Sequence, residues 1–78
     1  MTKEDLIELG FDRFDEYDSD VGDWYYYEST WNGIELITNP SDEWNSKGMY
    51  VEIIDTDVRF RSLNDLWALK EILSNNMK

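Results

Sequence analysis

The chain has 78 residues, of which 18 are acidic and 7 basic, so that its formal net charge is −11. It contains neither cysteine nor histidine, which excludes disulfide staples, thiol nucleophiles, the usual zinc ligand sets and the commonest general base. A surface of this sign repels nucleic acid and anionic membranes and attracts basic partners.

We expect a single domain spanning residues 1–78, because this length is enough for only one small core. The acidic N-terminal stretch lacks the charge pattern of a signal peptide, and no apolar run reaches the length of a membrane span. The sequence therefore predicts a cytoplasmic protein with no cofactor, no metal and no direct contact with nucleic acid or membrane.

A short helix is predicted at the start of the chain. Thr2, with Asp5 three residues later, forms a capping-box pattern, and apolar residues follow at helical spacing. Gly10 fits a left-handed C-terminal cap, with Phe11 packing back on the last turn.

The next stretch is acidic. Residues 11–17 carry an apolar side chain at every third position, so we predict a short extended piece or loop whose phenylalanine rings tuck under the domain edge. The segment from Asp12 to Asp23 is predicted to be a solvated loop. It also invites comparison with a calcium-binding loop that starts at Asp18, but Gly22 then occupies the fifth position and Ser29 the twelfth, where the EF-hand pattern needs a ligand and a glutamate.

The centre of the chain predicts a β-hairpin. The aromatic run DWYYYESTW is followed by Asn32-Gly33 and then by IELIT, and Asn-Gly between two such runs is typical of a type I′ turn. Because alternate side chains of a strand point to opposite faces, this turn assigns every side chain to a face. The core face is predicted to carry Tyr25, Tyr27, Trp31, Ile34 and Leu36. The opposite, at least half-exposed face is predicted to carry Trp24, Tyr26, Glu28, Thr30, Glu35 and Ile37.

Two more strands and a helix are predicted after the hairpin. Residues 39–48 read as a loop with Trp44 in its middle; MYVEIID (49–55) and VRFR (58–61) read as strands. A helix begins after Ser62, with Asp65 completing a second capping-box pattern, places Leu66, Leu69 and Leu73 in the core, and ends at Asn75 and Asn76. The predicted class is α+β (α-β-β-β-β-α): a three- to four-stranded antiparallel meander with helices on one face.

This order of elements resembles that of small acidic accessory proteins encoded by bacteriophages and prophages. The resemblance lies in the capped helix ending in Leu-Gly-Phe, the meander, and the strand-to-helix ending VRFRSLNDLWALKEIL. It brings no catalytic residues with it. It implies a protein that acts by binding host proteins.

The surplus of aromatic and acidic residues suggests a binding surface. Trp and Tyr dominate interface hot spots, so we predict Trp24, Tyr26 and Trp44 as partner contacts. The acids predicted to contact or steer a partner are Asp15, Glu16, Asp18, Asp20, Glu28 and Glu35. Glu28 and Glu35 lie diagonally, as in a glycosidase pair, but so small a chain has little material for a cleft that would tune them.

Two functions follow as hypotheses. The first is a non-enzymatic module that binds a basic surface of a host protein, as an accessory, anti-defence or DNA-mimic protein would. The alternative is a binder of a sugar or nucleobase that stacks on Trp24 and Tyr26.

Overall fold

The computed structural model describes residues 1–20 and 22–75; Asn76, predicted to help end the last helix, lies outside them. The described residues form three α-helices and a five-stranded antiparallel sheet whose strands lie in chain order, and the first and third helices pack on one face of that sheet. The elements are α1 (Lys3–Glu8), β1 (Asp12–Asp18), β2 (Gly22–Trp31), β3 (Ile34–Thr38), a 3₁₀ turn (Ser41–Glu43), α2 (Trp44–Lys47), β4 (Val51–Ile53), β5 (Arg59–Phe60) and α3 (Leu63–Asn75).

The ends of α1 are formed as predicted. The Thr2 hydroxyl accepts from the Asp5 amide at 3.2 Å, and the Asp5 carboxylate accepts from the Thr2 amide at 2.8 Å. Gly10 takes a φ of +92°, and the Phe11 amide reaches back to the carbonyl of Leu6 at 2.9 Å. These bonds satisfy backbone groups that a two-turn helix leaves unpaired.

The acidic segment after α1 is a strand: the extended alternative predicted for residues 11–17 is confirmed, and the solvated loop predicted for Asp12–Asp23 is wrong except at the turn residues 19 and 20. β1 pairs with β2 along its whole length, from Asp12 opposite Glu28 to Asp18 opposite Gly22. All seven residues of β1 are exposed, so no alternation of buried and exposed positions could mark it in the sequence. Phe11 is buried as predicted, whereas Phe14 is 43% exposed and does not tuck under the edge.

The central hairpin is confirmed. Asn32 and Gly33 have φ values of +54° and +84°, as a type I′ turn requires, and Trp31 lies opposite Ile34. On the predicted core face, Tyr27, Trp31 and Leu36 are buried and Tyr25 and Ile34 are partly buried.

The second half of the sheet is shorter than predicted. β4 covers three residues and β5 two. The segment before β4 is anchored by Asn39, whose side chain accepts from the Tyr50 amide at 3.0 Å and donates to the Gly48 carbonyl at 2.8 Å. These bonds hold residues 40–48, predicted as a loop, in a 3₁₀ turn and a short helix.

Helix α3 closes the core on the same face of the sheet as α1. The Ser62 hydroxyl caps it by accepting from the Asn64 amide at 3.2 Å. Leu66 is fully buried, while Leu69 and Leu73 are partly buried and pack against the core. The Lys70 ammonium donates to the Leu9 carbonyl at 2.9 Å, which ties α3 to the end of α1. The α+β class is thus confirmed, with five strands rather than three or four. None of the described helices is long and apolar enough to cross a membrane.

We predict that Gly33→Val destabilises the protein, because a β-branched residue is strained at a φ of +84°. Such strain costs about 1–3 kcal/mol. No atom lies within 4 Å of a Cβ at this position, so the loss would come from the backbone alone. Thermal and urea unfolding would measure it, with Gly33→Asn as the control that tolerates positive φ; equal stability of the two variants would contradict the turn type.

We predict that Leu66→Ala lowers the free energy of unfolding by about 2–5 kcal/mol, because it leaves a cavity between α3 and the sheet. Glu71→Ala in the same helix is the control, since Glu71 is exposed and substitutions of that kind stay within about 0.5 kcal/mol. Equal urea midpoints for the two variants would show that α3 does not pack on the sheet.

Candidate functional site

One face of the sheet is left open. The buried core and all the partly buried helical side chains that pack on it lie on the other side, around Tyr27, Leu36 and Val51. On the open side, neighbouring strands bring together three aromatic and four acidic side chains, which we call the acidic-aromatic patch: Phe14, Trp24, Tyr26, Asp12, Glu16, Glu28 and Glu35.

The aromatic rings form the centre of this patch. Phe14 lies opposite Tyr26 across the β1–β2 ladder and stacks on it, with ring centroids 5.6 Å apart and planes at 17°. Trp24 lies next to Tyr26 along β2, at 5.9 Å and 34°. Trp24 and Tyr26 are partly buried, although none of the described helices covers them.

Carboxylates surround the rings. Glu16 lies opposite Trp24, and Glu28 lies opposite Asp12. Burial raises the pKa of Tyr26, and the negative charges of Glu16 and Glu28, together with a hydrogen bond to Glu16, raise it further. Glu28 is two residues from Tyr26 along β2, and Glu16 is its diagonal neighbour on β1, so both lie on the same face as the ring.

An open groove of about 430 Å³ lies at one end of the patch. It is lined by Phe14, by the carboxylates of Asp12 and Glu28, by Ser29 and Thr30, and by Gly10. A groove lined by an aromatic ring and two acidic residues suits a cationic side chain, since a ring face and carboxylates attract positive charge.

The cations of residues 1–20 and 22–75 contact other parts of the molecule. Lys3 and Arg13 lie over the ring of Tyr25, at 4.8 and 3.9 Å, on the helix-covered face. Arg59 and Arg61 lie over Tyr50. The remaining two are Lys70, which lies 4.9 Å over Trp31, and Lys47, which pairs with Glu43. Arg59 also pairs with Glu52 at 3.5 Å, at the far end of the row Glu28–Ile37–Glu52–Arg59 that crosses the open face. None of the described cations forms an ion pair with the four carboxylates of the patch.

Not every predicted contact residue belongs to the patch. Asp15 points to the other face and is ion-paired with Arg13 at 2.9 Å. Asp18 is the last residue of β1, and its carboxylate accepts from the amide of Asp20 at 2.7 Å in the turn that follows the strand, away from the patch. Trp44 is on the helix-covered face.

Trp44 is held there by specific contacts. Its ring lies 5.3 Å from Tyr25 and 6.5 Å from Tyr27, and its Nε1 donates to the Asn39 carbonyl at 2.8 Å. It closes the core beside the 3₁₀ turn, so it does not share a surface with Trp24 and Tyr26. Trp24, Tyr26, Glu16, Glu28 and Glu35 are the predicted residues that the structure does bring together.

Sequence reasoning missed Phe14 and Asp12 as members of the patch. Both are placed by the pairing of β1 with β2, and that pairing has no Asn-Gly turn to signal it. The residues of β1 are all exposed and show no alternation of apolar and polar side chains, so the sequence held no local signal for them.

The described residues contain no group of three or more acidic side chains arranged to hold a metal ion. No protein-family model, curated protein sequence or solved structure matches this chain. The function must therefore be argued from the patch itself.

We predict that Glu28→Gln lowers the pKa of Tyr26, because it removes one of the negative charges that disfavour the phenolate. Glu16→Gln should lower it too, by removing both a charge and an acceptor. The titration of the Tyr26 Cζ signal by NMR would measure the change, with Glu71→Gln as a control on another element. An unchanged midpoint in both variants would show that the carboxylates do not face the phenol.

Proposed function

We propose that this protein is a non-enzymatic, cytoplasmic protein-binding module whose acidic-aromatic patch binds a basic surface of a partner protein. The observation that carries the proposal is the separation of charge within the chain. The patch holds four acids without a cation, while the six described cations contact other groups.

The two components of the patch act at different stages of binding. An uncompensated negative field accelerates the encounter with a basic surface. Phe14, Trp24 and Tyr26 then supply stiff contact area at the centre, where hot-spot aromatics act by slowing dissociation.

A finer form of the proposal is an accessory or anti-defence protein of the phage type, in which the carboxylates replace the phosphates of DNA on a host DNA-binding protein. The carboxylates of the patch support this form, because arginine and lysine make charge-assisted hydrogen bonds to carboxylate and phosphate groups alike. Duplex DNA should then compete with this protein for its partner.

The sugar or nucleobase alternative has less support. The rings of Trp24 and Tyr26 are inclined by 34°, so they do not form one flat platform. Glu16 and Glu28 beside them add charge that a neutral ligand does not use.

We predict that neutralising the patch slows association with the partner by about tenfold or more, because charge steering is lost. The test variant combines Asp12→Asn, Glu16→Gln, Glu28→Gln and Glu35→Gln. The control combines Asp42→Asn, Asp55→Asn, Asp57→Asn and Glu71→Gln, which changes the net charge equally at exposed positions elsewhere. The partner is a protein that the wild type retains from a host lysate at low salt, identified before either neutralised variant is tested.

Association and dissociation rates of that protein would then be measured between about 0.1 and 1 M salt, where the Debye length falls from about 10 to about 3 Å. Trp24→Ala with Tyr26→Ala should raise the dissociation rate and leave association nearly unchanged. Equal effects of the two neutralised variants, or salt-independent rates, would overturn the proposal.

A further inference from the structure

The outer edge of β1 has free backbone groups. The amides of Tyr25 and Tyr27 donate to Ser41 and Thr38, on the side of β2 away from β1. Because backbone groups alternate in direction along a strand, the even-numbered residues of β2 face β1.

Their partners on β1 are residues 12, 14 and 16, so the amides and carbonyls of Arg13, Asp15 and Tyr17 point away from the sheet. Among the described residues, β1 makes no backbone hydrogen bond outside its ladder with β2.

Sheet edges of this length are normally shielded, because they template pairing with other chains. Here the outer edge is seven residues long, with no bulge in its register and no proline. Its acidic side chains repel a second copy of the same edge and attract positive charge.

Resting on the function proposed above, we propose that β1 binds its partner by strand addition, with an extended basic segment pairing along Arg13–Tyr17. On the open face, Asp12, Phe14 and Glu16 present an acid, a ring and an acid at alternate positions. A paired segment would place a basic, an apolar and a basic residue beside them, each separated by one residue.

This pattern is the same in both chain directions, so the segment is recognised whether it pairs parallel or antiparallel. Asp12, which one of the two basic side chains would face, also lines the groove between β1 and β2. Backbone bonds supply affinity in this mode, and alternate side chains supply specificity.

The probe is a capped seven-residue peptide with lysine at its second and sixth positions, valine in the middle and threonine elsewhere. The first control has the same composition with the two lysines adjacent, so that they point to opposite faces. The second control keeps the sequence and carries N-methyl groups on the amides that would pair with β1. We expect both controls to raise the Kd by about tenfold or more, and the amides of Arg13, Asp15 and Tyr17 to gain protection from hydrogen exchange only with the probe.

The chain offers a matched pair of variants. Asp15→Pro removes one outward amide and leaves every bond to β2 in place. Edge strands accept proline at positions such as this one, where the backbone N–H faces away from the sheet. Asp15→Ala removes the same carboxylate and keeps the amide. We expect the proline variant alone to lose binding by about tenfold, with circular dichroism confirming that both are folded; should Asp15→Pro not fold, the N-methylated peptide tests the same bonds on the wild type.

Equal affinity for all three peptides would overturn strand addition while leaving the charge-based function standing. Protection of the edge amides in proportion to protein concentration, without peptide, would overturn the proposal in favour of a second copy as the occupant. Failure of the neutralised patch variant to slow association would instead contradict the proposed function itself.

Discussion

Successive side chains of β2 point to opposite faces of the sheet, and the Asn32–Gly33 turn fixes which of them point inward. A shift of one residue would put Tyr26 and Thr30 in the inward positions of Tyr27 and Trp31. The core and the acidic-aromatic patch are therefore two results of the same register. Neither could be moved without losing the other.

The few cations of this acidic chain are placed mainly over aromatic rings. Arg13, Arg61 and Lys70 lie over the rings of Tyr25, Tyr50 and Trp31 in that order, and a ring face attracts positive charge. Long side chains such as Arg13 also cover apolar surface while keeping the charged group near solvent. On the open face, Arg59 lies at the far side of the sheet and pairs with Glu52, while the four carboxylates of the patch have no ion pair with a described cation.

Much of the fold follows from local sequence signals. The capping box of α1, the left-handed Gly10 and the type I′ turn each depend on the chemistry of two to four neighbouring residues, so the sequence alone identifies them. The apolar period of α3 identified Leu66 in the same way.

The strand β1 and the position of Trp44 depend instead on partners distant in the chain. β1 is extended because β2 pairs with it, and its own exposed residues carry no period. Trp44 points inward because its Nε1 donates to the Asn39 carbonyl and its ring packs against Tyr25. Only part of the patch could be predicted for this reason. The hairpin register assigned its β2 and β3 members to one face, whereas its β1 members join them through a pairing that the sequence does not signal.

The bond between Lys70 and the Leu9 carbonyl spans 61 residues, whereas every strand pairs with its neighbour in the chain. Pairings between neighbours close short loops at small entropic cost, and contacts distant in sequence are slow to form. We therefore expect the strand meander to form early in folding and the contact between α3 and the end of α1 to form last. The N- and C-terminal parts of the chain would then separate first when the native state opens locally.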